Sequence, residues 1–240
     1  MAVRGMEPVG ELSETLMATP DVRILPGVFF DPPGSLPRGR HNVPREVVAA
    51  AQRERLMIAI TELMARQGYG DVTVTDVVQR AKVSRSVFYG FFEDKQACAL
   101  ASYDRFIGVL LDSLAGELDA DQNLPEFVAA GLRAYLRPIG RDPVVGRAFQ
   151  VEIDAMGEPA RRRRRESLQL FADALATHHA RIAVTDPTTE CLPPSAYLGV
   201  VYAVRQLTSD ALEVGQTAGL LDLVPELSQW MLRMLTRAPA

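Results

Sequence analysis

The chain has little cysteine, almost no lysine and no long apolar run. Its two cysteines, Cys98 and Cys191, cannot make a disulfide framework and read as reduced thiols of the small, buried kind. The longest apolar run, residues 196–204, is far too short to cross a bilayer, so no membrane-spanning helix is expected. The first thirty residues carry Glu7, Glu11, Glu14 and Asp21 and lack a basic segment followed by an apolar stretch. That pattern argues against a secretory signal, and the cytoplasm is the expected location. There is no glycine-rich phosphate loop, no nucleophile elbow and no acid pair on a common helical face, so neither an enzyme nor a bound cofactor is expected. His178 and His179 are sequence neighbours with no third ligand close by, which argues against a metal site.

What is present is an uneven charge. The formal net charge of −4 hides a basic middle: residues 38–96 hold 10 Arg and Lys against 7 Asp and Glu, whereas both flanks are acidic. Only this middle segment suits a polyanionic partner. Arginine dominates over the whole chain, so position rather than residue type must carry the argument.

Residues 20–44 contain Pro20, Pro26, Pro32, Pro33, Pro37 and Pro44, a density that forbids regular helix, and residues 1–44 read as an N-terminal arm or linker. From Arg45 to Gln67 the apolar positions Leu56, Ile60 and Leu63 recur at helical spacing, and Gly68 and Gly70 end the helix. Thr73, with Asp76 three residues on, caps a short helix to Ala81; Ser84 caps another to about Phe92; Asp94 caps a long one from Lys95 to Glu117. Beyond residue 117 helical segments are interrupted at Pro125, Pro138, Pro143, Pro159, Pro187, Pro193, Pro194 and Pro225, with no convincing strand. The fold class is therefore all-α, divided into the arm, a three-helix unit over 45–95 and a larger helical unit over 96–240.

Two short helices separated by Ala81-Lys82-Val83 match a helix-turn-helix, whose second helix lies in a DNA major groove. On a helical wheel centred on Phe88, Ser84 and Phe92 fall within about 40° and Phe91 about 60° away, which is the core face. Ser86 and Gly90 lie opposite, flanked by Arg85, Val87 and Tyr89, leaving a small polar face that a groove can approach. Arg85 suits guanine or phosphate, Ser86 a base edge, Val87 a thymine methyl, and Tyr89 and Lys95 a phosphate.

These residues carry a resemblance. Gly68-Tyr69, Thr73-Val74-Thr75-Asp76-Val77-Val78, Ala81-Lys82-Val83-Ser84, Phe88-Tyr89 and Phe92-Glu93-Asp94-Lys95 are similar to the DNA-binding end of TetR family transcriptional regulators, over about residues 38–105. The resemblance implies a helix-turn-helix reader followed by a variable helical domain for effector binding and dimerisation. It places DNA contacts on Thr73, Thr75, Arg85, Ser86, Val87, Tyr89 and Lys95. Its implied function is a ligand-responsive repressor, acting as a homodimer on a pseudo-palindromic double-stranded DNA operator; the alternative is a helical adaptor with a vestigial reader. Lys82 stands where the family usually has glycine, so either Lys82 takes a positive φ or the turn is reshaped. Gly90 replaces a larger, often basic residue.

Three further features are expected to matter less or later. Arg38, Arg40, His41 and Arg45 precede the first helix, and Arg40 is a candidate for the adjacent minor groove; a solubilising leader is the other reading. Arg161–Arg165 read as a solvated helix surface paired with Glu158 and Glu166. For a small apolar effector the candidate contacts are Tyr103, Phe106, Phe149, Met156, Phe171, Tyr197 and Tyr202, each of which is equally readable as core, and Trp230 reads as packing in the last helix.

Overall fold

The first helix, α1 (Arg45–Gln67), changes character along its length: its first turns are largely exposed, but every residue from Leu56 to Ala65 is buried. A helix buried all round must be enclosed, and α1 is packed by α2 (Val74–Ala81), α3 (Arg85–Phe91), α4 (Lys95–Glu117) and α6 (Pro143–Gln150). The structure is a computed structural model describing residues 22–34, 44–119, 121–185, 189–216 and 219–236. Among these there is no strand, and the fold is all-α. The boundaries of α1, α2 and α4 are those expected from spacing and caps, and α3 ends one residue earlier than Phe92.

The remaining helices are α5 (Leu124–Arg141), α7 (Glu158–Thr185), α8 (Pro194–Glu213) and α9 (Leu223–Leu235), with short 3-10 turns at Glu152–Met156 and Leu220–Asp222. Two apolar cores result. One joins α1 to α4 with Phe149, Ile153 and Met156, and the other fills the space between α5, α7, α8 and α9. Helix α4 belongs to both regions: Cys98, Ser102, Phe106 and Leu110 recur every four residues along its inner face, and its C-terminal turns reach α5.

Most of the prolines open helices rather than separate them: Pro125, Pro143 and Pro194 occupy the first positions of α5, α6 and α8, where the missing N–H costs nothing. Pro138 differs, because α5 runs through it to Arg141. A proline at 138 leaves the carbonyl of Ala134 without its intrahelical donor. The hydroxyl of Ser113 on α4 supplies one, donating to the Ala134 carbonyl at 2.8 Å. Pro187 lies outside the described residues.

Residues 22–34 have no helix, as their prolines require, yet Ile24, Phe29 and Phe30 are buried in the first core, with the Phe29 ring 5.2 Å from that of Phe106. Two buried carboxylates pin this strap. Glu62 of α1 accepts from the Ile24 amide at 3.1 Å, and Asp142 accepts from the Leu25 amide at 2.8 Å while its other oxygen caps α6 at Val145. Burial pushes the Asp142 carboxyl upward, against the backbone hydrogen bonds that favour its ionised form. The strap therefore contributes to the core, a role that proline density by itself does not announce.

The turn between α2 and α3 resolves the alternative at Lys82, which adopts φ 55° and ψ 46°, the left-handed region. A side chain there costs about 1 kcal/mol. Lys82 is exposed, so Lys82→Gly is expected to raise the melting temperature by about 1–3 °C in a thermal unfolding scan, the relief being partly offset by the entropy glycine loses on folding. A fall in melting temperature would mean that the lysine side chain stabilises the turn.

Candidate nucleic-acid interface and apolar cavity

The reading surface is assembled from two caps and one locked ring. The Thr73 hydroxyl oxygen accepts from the Asp76 amide at 3.2 Å and the Asp76 carboxylate accepts from the Thr73 amide at 2.9 Å, so the capping box fixes how α2 begins. The Thr73 hydroxyl also donates to the Asp76 carboxylate at 2.7 Å, and this bond, with that from the Thr73 amide, holds the Asp76 carboxyl below the usual range. The Ser84 hydroxyl oxygen accepts from the Val87 amide at 3.2 Å and opens α3. Phe88 is 0% exposed and turns α3 inward, packing edge-on against Tyr89 and obliquely against Phe92. On the other side Tyr89 is 53% exposed, and Arg85, Ser86 and Gly90 are also exposed. A Cβ placed on Gly90 would meet nothing within 4 Å, so that position is open surface rather than a packing necessity.

Thr73 and Thr75 are exposed at the start of α2, and together with Arg85, Ser86 and Tyr89 they form one accessible set on the two short helices. Val87 is half-buried. Lys95 is placed differently: its ammonium donates to the carbonyls of Tyr69, Gly70 and Val72 at 3.0, 3.2 and 2.7 Å and lies 4.4 Å from the Tyr69 ring centroid. An ammonium has three donors, so Lys95 is engaged as a brace for the turn between α1 and α2. Arg40, Arg38 and His41 lie outside the described residues.

A second feature lies at the other end of α4. Between α4, α5, α7 and α8 there is a cavity of about 310 Å³, lined by aliphatic and aromatic side chains such as Leu114, Leu132, Leu168, Phe171 and Val204. Among the described residues, Tyr135 and Arg205 are its only polar lining.

Comparison with known proteins fixes what the reader is. Residues 56–101 match the family described as bacterial regulatory proteins, tetR family, which is the segment from the buried half of α1 into α4. Over that segment the chain is similar to the TetR family. Over 120 residues it is 31% identical to the HTH-type transcriptional regulator EthR of Mycobacterium tuberculosis, an alignment covering 48% of this chain and 54% of EthR. The chain thus spans about half the length of the curated relatives it matches. In fold it is similar to the fatty acid degradation regulator FadR from Bacillus halodurans, with a TM-score of 0.68 at 15% identity, covering 75% of this chain and 94% of that one. It is also similar to FadR from Bacillus subtilis, solved in complex with stearoyl-CoA, with a TM-score of 0.67 at 14% identity and coverage of 75% and 98%.

In this chain, the aromatics expected from the sequence distribute unevenly about the cavity. Phe171 lines it. Tyr103, Phe106 and Phe149 instead form a three-ring cluster, with centroids 5.4–6.1 Å apart, around a void of only about 10 Å³. Met156 is buried under the Glu152–Met156 turn, its carbonyl accepting from the Gln96 side chain. Tyr197 has its hydroxyl fully used, accepting from the Leu192 amide at 3.0 Å and bonded to His179 Nδ1 at 2.8 Å. Since His179 Nε2 lies 2.9 Å from the Leu235 carbonyl and must donate to it, Nδ1 accepts from Tyr197, and the chain of bonds ties α7, α8 and α9 together. Burial lowers the pKa of His179 and keeps its ring neutral in this role. Tyr202 lies on the exposed side of α8.

The residues that sequence reasoning passed over are the polar pair in the cavity, Tyr135 and Arg205. A signal existed for the second: Arg205 interrupts the apolar stretch of α8 on the same face as Tyr197, Val201 and Val204. The arginines 161–165 each form an ion pair, with Glu158, Glu166, Asp104, Asp154 and again Glu158, so four carboxylates offset most of their charge.

Proposed function

We propose that the chain is a ligand-responsive transcriptional repressor that binds a pseudo-palindromic operator as a homodimer. The observation that carries this reading is the division of α3 into a locked core face at Phe88 and an accessible polar face at Arg85, Ser86 and Tyr89. Such a helix enters a major groove with its backbone close to the base edges. Two readers related by a two-fold axis would meet grooves about 34–36 Å apart, and operator symmetry would mirror protein symmetry. The surface suited to self-association is that of α8, the Leu220–Asp222 turn and α9, where Tyr202, Leu207, Leu221 and Met234 are exposed large apolar residues.

Ligand response is supported by the course of α4. Its N-terminal half packs in the reader core and its C-terminal half lines the cavity, so an occupant that displaces Leu111 or Leu114 moves the helix on which α1 rests. The FadR of Bacillus subtilis was solved with stearoyl-CoA, and by analogy the effector here has a large apolar part. Such an effector acts by favouring a reader spacing that no longer fits both grooves.

Selection of bound DNA from a random pool tests the reading. The expected product is a two-fold-related pair of half-sites bound with steep salt dependence by a species of twice the chain mass. Failure to enrich any sequence would leave a helical adaptor as the better description.

A further inference from the structure

Arg205 is 9% exposed, and among the described residues its guanidinium has no carboxylate to balance its charge. Its hydrogen bond runs from Nη2 to the Gln150 carbonyl at 2.7 Å, a neutral acceptor, and among the described residues no carboxylate lies within ion-pairing distance. A buried charge is costly unless paired, so an unpaired guanidinium beside a cavity is a group prepared for an anion.

A second group points the same way. The hydroxyl of Tyr135 is buried, and neither it nor the Gln150 side-chain oxygen makes a hydrogen bond of full geometry, although Gln150 and Thr208 are polar neighbours of the phenol. Tyr135 and Arg205 line both the large cavity and the small void beyond it, together with Leu168 and Phe171, which places them at one end of an otherwise apolar space. The Arg205 charge acts on the Tyr135 phenol, although burial dominates and pushes that phenol upward, so it stays a donor. Two donors, one of them cationic, therefore converge where an apolar chain would end.

We propose that the cavity binds a medium-chain aliphatic monocarboxylate, its carboxylate paired with Arg205 and accepting from the Tyr135 hydroxyl, its chain lying among Leu114, Leu132 and Val204. Charge and shape both argue for it. A guanidinium matches a carboxylate in a two-point fork, whereas an alcohol or ester leaves the charge unbalanced. An engineered cavity of about 150 Å³ holds benzene, so by proportion 310 Å³ accommodates about twelve non-hydrogen atoms, the size of a ten-carbon fatty acid.

The inference rests on the proposed function only in treating the cavity as the effector site, and its test uses no DNA. Binding of decanoate, methyl decanoate and decan-1-ol to the full chain is measured by isothermal titration at pH 7.5. Decanoate is expected to bind roughly 10–100-fold more tightly than the ester or the alcohol. Arg205→Met should remove that preference while the ester still binds, Arg205→Lys should keep part of it, and Tyr135→Phe should reduce it severalfold. Equal affinities for the three probes in the unaltered protein, or no binding of decanoate, would overturn the proposal without need of any variant. So would an Arg205→Met protein that still favours the acid. Neither result touches operator selection, and failure to select an operator would leave the carboxylate preference standing.

Discussion

Phe88→Ala is expected to unfold the reader, lowering stability by roughly 3–5 kcal/mol in chemical denaturation. The ring is 0% exposed where α3 packs on α1 and α2, and it meets Phe92 at the end of α3. Truncation removes both its transfer free energy and the contacts of a cavity that a seven-residue helix cannot collapse to fill. Set against a typical domain stability of about 5–15 kcal/mol, the loss takes a large share. The neighbouring residue supplies the contrast. Tyr89→Phe changes an exposed side chain, so melting should stay within about 1 °C of the parent while operator affinity falls several-fold through loss of a hydroxyl that can donate to phosphate. If Tyr89→Phe unfolded the protein and Phe88→Ala affected DNA binding alone, the assignment of the two faces of α3 would be reversed.

Glu62→Ala should be comparably severe, about 3–5 kcal/mol, for an electrostatic reason. Glu62 is 3% exposed and serves three partners: the Ile24 amide, Arg80 Nε at 2.6 Å, and the more exposed Arg23 at 3.9 Å. Arg80 also donates to the Val22 carbonyl, so one guanidinium closes a ring between α1, α2 and the strap. Removing the carboxylate strips the buried Ile24 amide of its acceptor and breaks the Arg80 ion pair at the same time. The strap should then detach, and limited trypsin digestion, with Arg23 as the reporter site, should cut the variant at least ten times faster than the parent. Unchanged cleavage with unchanged stability would show that the apolar anchors Ile24, Phe29 and Phe30 hold the strap without Glu62.

Local signals made much of the molecule legible. The caps at Thr73, Ser84 and Asp94 each accept from the backbone amide three residues on, because capping is decided within one turn of chain. The wheel separated Phe88 from Tyr89, since a helix converts spacing directly into direction. Lys95 was harder. Its charge and position suit a phosphate, but three carbonyls more than twenty residues earlier in the chain surround its ammonium, and no local pattern announces them. The cavity was harder still. Leu114, Gly131, Leu168 and Val201 look like ordinary core at helical spacing, and whether four helices meet or leave a gap depends on how all of them pack. The large aromatics that drew attention as ligand contacts largely filled space instead, for the reason that a big ring is the most effective way to close a void.

The sequence by itself determined the all-α class, the ends of the first four helices to within a residue, the left-handed alternative at Lys82 and the two faces of α3. Each depends on residues one to four apart, where backbone geometry leaves few choices. Tertiary structure alone decided the rest. It seated the proline-rich strap on carboxylates 38 and 117 residues away, let Ser113 carry α5 past Pro138, and left Arg205 without a counter-charge among the described residues at the end of an apolar cavity. Those outcomes depend on which distant groups meet when the helices close, and that is settled by packing and the pairing of buried polar atoms rather than by any short run of residues.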